Sequence, residues 1–201
     1  MITLRELKEK DAEFMLEWMH DRDIQNCFIK DMLSATIEDA LEFCRKSKIP
    51  SCISDGTSLH YAIVNETDEY LGTISLKNID KYNGTAEYAI TLRKKAVGKG
   101  IAFEATGIIL QKAFLDINLN RVFLSVLSDN NAAIRLYERC GFVCEGEFRN
   151  HIRKGDKYMN WKWYGMLVTE YKRSNVFLGG GAVRYNNINA CIYPVDRRYV
   201  A

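Results

Sequence analysis

Hydrophobic and polar positions alternate with two different periods along this chain, and each change of period marks an element. Ile2 to Leu7 alternates as a strand does, and Asp11 then heads a helix through His20 with Phe14, Met15 and Trp18 on one face. Thr36 starts a second helix that ends near Pro50, with Ile37, Leu41 and Phe43-Cys44 turned inward. Strands are predicted over Leu59 to Asn65, Tyr70 to Leu76 and Thr85 to Leu92, with turns at Asp68-Glu69 and Tyr82-Asn83-Gly84. Lys99 to Asp116 reads as a long helix, Arg121 to Leu127 as a strand, and Asn130 to Arg139 as a helix stopped by Gly141. Phe142 to Phe148 and Tyr158 to Val168 form a last antiparallel pair around Lys154-Gly155-Asp156. The order β-α-α-β-β-β-α-β-α-β-β predicts an α/β (α+β) fold, a mixed sheet with helices on both faces.

Two hundred and one residues, 47% hydrophobic and 27% charged, fit one ordinary globular domain with an appendage. A formal charge of +2 and the lack of a long basic run speak against nucleic acid as a partner. No stretch approaches the length of about 18 apolar residues that a membrane span needs. The charged N-terminal alternation lacks a signal-peptide core, so a cytoplasmic protein is expected. Six cysteines are scattered without a CxxC pair and three histidines share no metal-like spacing, so structural thiols and no metal are expected.

Two segments carry candidate chemistry. Gly98-Lys99-Gly100-Ile101-Ala102-Phe103-Glu104 is a glycine-rich turn opening a helix, where free backbone N–H groups can hold a pyrophosphate. A dinucleotide fingerprint would need glycine where Phe103 stands, and a P-loop would need Ser or Thr where Gly100 stands. The second segment runs from Asn130-Asn131-Ala132 through Tyr137 to Gly141-Phe142. It sets an amide and a phenol two helical turns apart, on nearly the same face. With the strand 121–127 between them, the two helices suit an acyl-coenzyme A site.

The pair of motifs resembles the coenzyme-A-binding core of the GNAT family of N-acetyltransferases, most closely its ribosomal-protein-alanine and polyamine acetyltransferase branch. The resemblance covers roughly residues 1 to 172, leaving 173–201 as a C-terminal extension. It implies that strands 85–92 and 121–127 splay apart to admit the pantetheine arm of acetyl-CoA. The family's turn usually begins with Gln or Arg; Lys95 stands there, before Gly98 and Gly100. The pyrophosphate would then be held mainly by the amides from Val97 through Gly98, Lys99, Gly100 and Ile101 to Ala102, with the helix dipole and the charges of Lys94, Lys95 and Lys99. The backbone near Ile90 and Thr91 would polarise the thioester carbonyl. Asn130 would bond the pantetheine arm while capping its helix.

By the same resemblance Tyr137 is the general acid: a phenol with pKa about 10 can protonate a departing thiolate with pKa about 8.5. Its competing use is a core aromatic against Leu136 and Phe142. An amine of pKa about 10.4 must lose a proton, at roughly 4 kcal/mol near neutral pH, and Glu87 in Ala-Glu-Tyr-Ala-Ile is the candidate base, directly or through water. Glu104 is expected to be structural, favoured by the helix dipole. His20, Asp21, Arg22, Asp23, Lys30 and Asp31 border the acceptor side in the family and either read the substrate or form an exposed helix end. The implied activity is acetyl transfer to a primary amine in a ternary complex. The acceptor stays open among amino sugars, polyamines, aminoglycosides and a protein N-terminus; a coenzyme-A-binding module without turnover is the alternative. The tail, with Tyr185, Ile188, Ile192 and Tyr193, is expected to cover a sheet edge or a neighbouring subunit, as in a homodimer.

Overall fold

A computed structural model describes residues 1–28 and 31–173 of the chain. The expectations for Lys30 and for the tail from 174 onward lie outside the described residues. Strands β1 (Ile2–Glu6), β2 (Thr57–Asn65), β3 (Tyr70–Asp80), β4 (Thr85–Leu92), β5 (Arg121–Leu127), β6 (Val143–Lys154) and β7 (Lys157–Leu167) form one seven-stranded sheet in the order β1-β2-β3-β4-β5-β7-β6. Helices α1 (Ala12–Met19), α2 (Arg22–Gln25) and α3 (Ile37–Lys46) follow β1. Helix α4 (Ile101–Gln111) precedes β5, α5 (Asn131–Cys140) follows it, and α6 (Val168–Arg173) follows β7. The predicted order and the mixed sheet hold, with two additions, α2 and α6, each too short to show a period.

Several boundaries move for local reasons. Helix α1 starts at Ala12 after a 3-10 turn, and Asp11 makes no side-chain cap. Its buried carboxylate instead takes two hydrogen bonds from Arg5, at 2.7 and 2.8 Å, and one from the Lys8 N–H at 2.9 Å. His20 ends α1, and Asp21 caps α2 by accepting from the Asp23 and Ile24 amides, so the polar run 20–23 opens a helix of its own. Thr36 and Asp39 form a capping box on α3, which stops at Lys46 rather than near Pro50. Helix α4 begins at Ile101 because Gly100 sits at φ +77°, a left-handed conformation that cannot continue a helix inward. Its last turn, Lys112–Asp116, winds as a π-helix. Strands β2, β3 and β6 run longer than their sequence patterns, β6 through a bulge at Asn150, φ +51°, while β7 keeps its length and shifts by one residue.

Two cores cover the two faces. One joins α4 and α5 to Ile74, Leu76, Ala86, Tyr88, Val122 and Leu124. The other packs α1 and α3, through Ala12, Met15, Trp18, Ala40 and Cys44, onto Ala62, Val64 and Tyr70. Alternation then divides β4: Ala86 and Tyr88 are buried towards α4 and α5, while Glu87 points to the α1 and α3 side. The parallel pairing of β4 with β5 runs Thr85–Arg121, Ala86–Val122, Glu87–Phe123 and stops there. Beyond that rung the two strands part, opening a gap between Tyr88–Leu92 and the second half of β5. The splay implied by the resemblance is present.

Gly72 sits opposite Leu92 on β3, where a Cβ would meet the Thr91 carbonyl oxygen at 2.3 Å and the Leu92 Cα at 2.9 Å. Backbone must therefore move to admit a side chain. Gly72→Ala is expected to destabilise the fold by about 2 kcal/mol or more, read as a lower urea midpoint at unchanged m-value.

Candidate active site

The glycine turn leaves the sheet directly from β4. Arg93 follows the strand, a 3-10 turn covers Lys94–Ala96, and Val97 is extended before Gly98. Gly98 and Gly100 both hold φ +77°, and a Cβ on either would point into open space. Backbone conformation rather than crowding therefore selects glycine here. Gly100 caps α4 without any side-chain acceptor, and the amides of Lys99, Gly100, Ile101 and Ala102 donate to no acceptor among the described residues. A row of free N–H groups at a helix N-terminus is an anion site. Lys99 is exposed with no carboxylate partner among the described residues.

The other predicted lysines are engaged. Lys95 forms an ion pair with Glu69, and Lys94 reaches Asp23 at 3.3 Å and Asp21 at 3.6 Å. Neither ammonium is turned to the amides in this state. Glu104 takes a structural part, accepting from the Ile2 N–H at 3.2 Å.

The gap exposes one edge of β4. The Arg93 N–H donates to Leu71 O at 2.9 Å, which extends the β3–β4 ladder past its last rung. Counting back by two turns the backbone of Thr91 and Ala89 towards β3, and that of Ile90 and Leu92 into the gap. Of the two predicted positions, Ile90 thus offers a free N–H, whereas Thr91 has its backbone committed to Thr73.

Asn130 caps α5, its Oδ1 accepting from the Ala133 N–H at 3.1 Å, which leaves the side-chain NH2 uncommitted. Tyr137 faces Tyr88 across an edge-to-face contact of 5.9 Å and packs beside Phe142 and Tyr164. It is 8% exposed, and its hydroxyl has no hydrogen-bond partner among the described residues. Burial holds the phenol well above its ordinary pKa, so it stays protonated. The core-aromatic expectation for Tyr137 holds, and the same side chain keeps its proton. Gly141, φ +93°, stops α5 and seats Phe142 in the core.

Glu87 is ion-paired to Lys77 on β3 at 2.8 Å, both side chains about a third exposed or less. It lies on the face opposite Tyr137, at the last paired rung, so gap, phenol and carboxylate meet at one level of the sheet.

Two contributors escaped the sequence. Tyr88 donates to the Thr106 hydroxyl at 2.7 Å, and Thr106 in turn donates to Ala102 O at 2.6 Å, tying β4 to the first turn of α4. Alternation with Ala86 already marked position 88 as buried. Arg93, 5% exposed, binds Glu17 through two hydrogen bonds of 2.7 and 2.6 Å, donates to Tyr70 O at 2.9 Å and lies over the Phe14 ring. It fixes α1 to the start of the glycine turn, and no local pattern marks an arginine for that duty.

A mixed sheet split between two parallel strands, with an amide-lined anion turn at its mouth, defines an acyl-coenzyme A transferase site. The chain belongs to the GNAT acetyltransferases: residues 1–143 match the family's acetyltransferase (GNAT) domain. It is an acetyl-CoA-dependent N-acetyltransferase. Similar proteins include spermidine N(1)-acetyltransferase of Vibrio cholerae, 25% identical over 85% of this chain and 95% of that one. The putative ribosomal N-acetyltransferase YdaF of Bacillus subtilis is 29% identical over 85% and 93%. The crystal structure of Vibrio cholerae spermidine N-acetyltransferase with CoA and spermine matches with a TM-score of 0.75, 25% identity and coverage of 86% and 98%.

Valine at position 100 would have to hold φ near +77°, at a cost of about 1–3 kcal/mol. Gly100→Val is expected to stay folded by circular dichroism and to bind acetyl-CoA at least tenfold more weakly in titration calorimetry.

Proposed function

We propose that the enzyme moves acetyl from acetyl-CoA to a primary amine of a small molecule, by direct attack in a ternary complex. The observation that carries this reading is the open β4–β5 gap with Tyr137 on one face and Glu87 on the other. The pyrophosphate rests on the Val97–Ala102 turn, and the pantetheine arm enters the gap past the Asn130 amide. The Ile90 N–H is placed to take the thioester oxygen as charge builds on it. Binding both reactants at one gap supplies proximity.

The amine comes from the Glu87 face. A protonated amine is unreactive, so Glu87 accepts its proton, directly or through water, with Lys77 holding the carboxylate in place. On the other face the Tyr137 hydroxyl donates to the departing sulfur. Because burial holds this phenol so high, full transfer to a thiolate of ordinary pKa about 8.5 is uphill. The phenol therefore stabilises the sulfur as a hydrogen-bond donor and gives up its proton only as another replaces it. The reaction balances: the ammonium gives one proton to Glu87, which passes it to solvent; a C–N bond forms, the C–S bond breaks, and the second proton lost from nitrogen is balanced by the one the thiol gains.

The relatives named for spermidine support a polyamine as the first acceptor to try. The relative named for ribosomal acetylation makes a peptide N-terminus the second. Thiol release measured with spermidine, amino sugars, aminoglycosides and N-terminal peptides tests the reading. No release with any of them overturns it.

Tyr137→Phe keeps the ring and removes the proton. Acetyl-CoA affinity and melting temperature should hold while kcat falls about tenfold to a thousandfold. A wild-type kcat would return Tyr137 to packing alone.

Glu87→Gln should lower kcat/KM most at low pH, where the amine is protonated. The defect should shrink as pH climbs towards the amine pKa of about 10.4, because free amine needs no base. A pH–rate profile parallel to wild type would assign Glu87 to positioning instead.

A further inference from the structure

The tip of the β6–β7 hairpin is docked on a distant part of the chain. Lys154 Nζ donates to three backbone carbonyls of one short segment: Gln25 O at 2.9 Å, Asn26 O at 2.5 Å and Phe28 O at 3.1 Å. Gln25 closes α2 and the other two residues follow it, where a helix end leaves carbonyls short of intrahelical partners; Gln25 O also takes the Phe28 N–H at 3.0 Å. An ammonium carries three donors that fan from one atom, which suits three converging carbonyls; a planar guanidinium does not.

The clamped segment packs on the α1 and α3 face of the sheet, the face Glu87 shares: Phe28 joins the core of Met15, Trp18 and Tyr70. Phe28 stacks on Trp18 at 5.8 Å, so the segment rests on the α1 core from one side and on Lys154 from the other. The start of α2 is tied separately, by Lys94 to Asp21 and Asp23. Residues 21–28 thus run between two lysines. One stands at the head of the glycine turn, and the other on a hairpin whose rings Trp161 and Trp163 stand on the Glu87 side of the sheet.

We propose that Lys154 is a positioning residue for the acceptor: it latches the hairpin to the Gln25–Phe28 segment and so fixes that wall of the amine pocket. This rests on the reading above that the amine arrives on the Glu87 face. Lys154 touches no reacting atom. It acts through the three carbonyls, so its loss should loosen the acceptor while sparing coenzyme A.

The experiment compares Lys154→Met, which keeps the stem and removes the donors, with Lys157→Met across the same hairpin turn, where the ammonium has no partner among the described residues. Lys154→Met should raise KM for the best amine about tenfold while kcat changes less than threefold and calorimetric affinity for acetyl-CoA stays at the wild-type value. Amide hydrogen exchange across residues 22–28 should quicken in Lys154→Met alone. Equal changes in both variants would reveal a general charge effect, and unchanged KM with unchanged exchange would leave Lys154 a surface residue; either overturns the latch. The exchange measurement needs no substrate. Faster exchange in an enzyme that acetylates no amine would therefore refute the reaction and not the clamp.

Discussion

Everything at this site depends on one interruption: β4 and β5 stop pairing after Glu87 and Phe123. Parallel strands seldom abandon their ladder, because each unpaired N–H or carbonyl needs another partner. Here both strands continue, supported from outside. β3 holds β4 as far as Leu92, and β7 holds β5 as far as Leu127. The opening is therefore rigid on both sides. The backbone turned into it keeps donors and acceptors that β4 and β5 do not use on each other.

The gap also separates two kinds of chemistry. On the α4 and α5 side the walls are backbone and aromatic: free amides at Gly100, the Tyr88–Thr106–Ala102 chain, and Tyr137 among rings. Low polarity there keeps a phenol protonated. On the α1 and α3 side stand charged pairs, Lys77 with Glu87 and Arg121 with Glu145. A reaction that removes a proton from a cation on one side and returns one to an anion on the other fits that asymmetry. In the proposed reaction the sheet keeps the two proton sites apart, so neither quenches the other.

What could be read from the sequence follows the range of each interaction. Strands β4 and β5 keep their predicted ends, because period-two alternation and the flanking turns are local signals. The two glycines and the Asn130 cap were legible for the same reason. Arg93, Lys154 and Lys77 were not. Their partners lie 76, more than 120 and 10 residues away, and a lysine on a hairpin looks the same whether it meets solvent or three carbonyls. The short helix α2 was missed because four residues show no period. Asp11 does not cap α1 because its carboxylate is taken by Arg5 and by the Lys8 N–H, both before it in the chain.

The glycine turn has a consequence for how such a chain can drift. Its donors are peptide N–H groups, and those exist whatever side chain each position carries, provided the two positive-φ positions stay glycine. Substitutions around them leave the donors in place. Lysine can therefore stand at position 95, committed to Glu69, without the site being rebuilt. On the proposed reading the turn's hold on a nucleotide lies in backbone shape, so nearly every charge around it could change while the same amides remain.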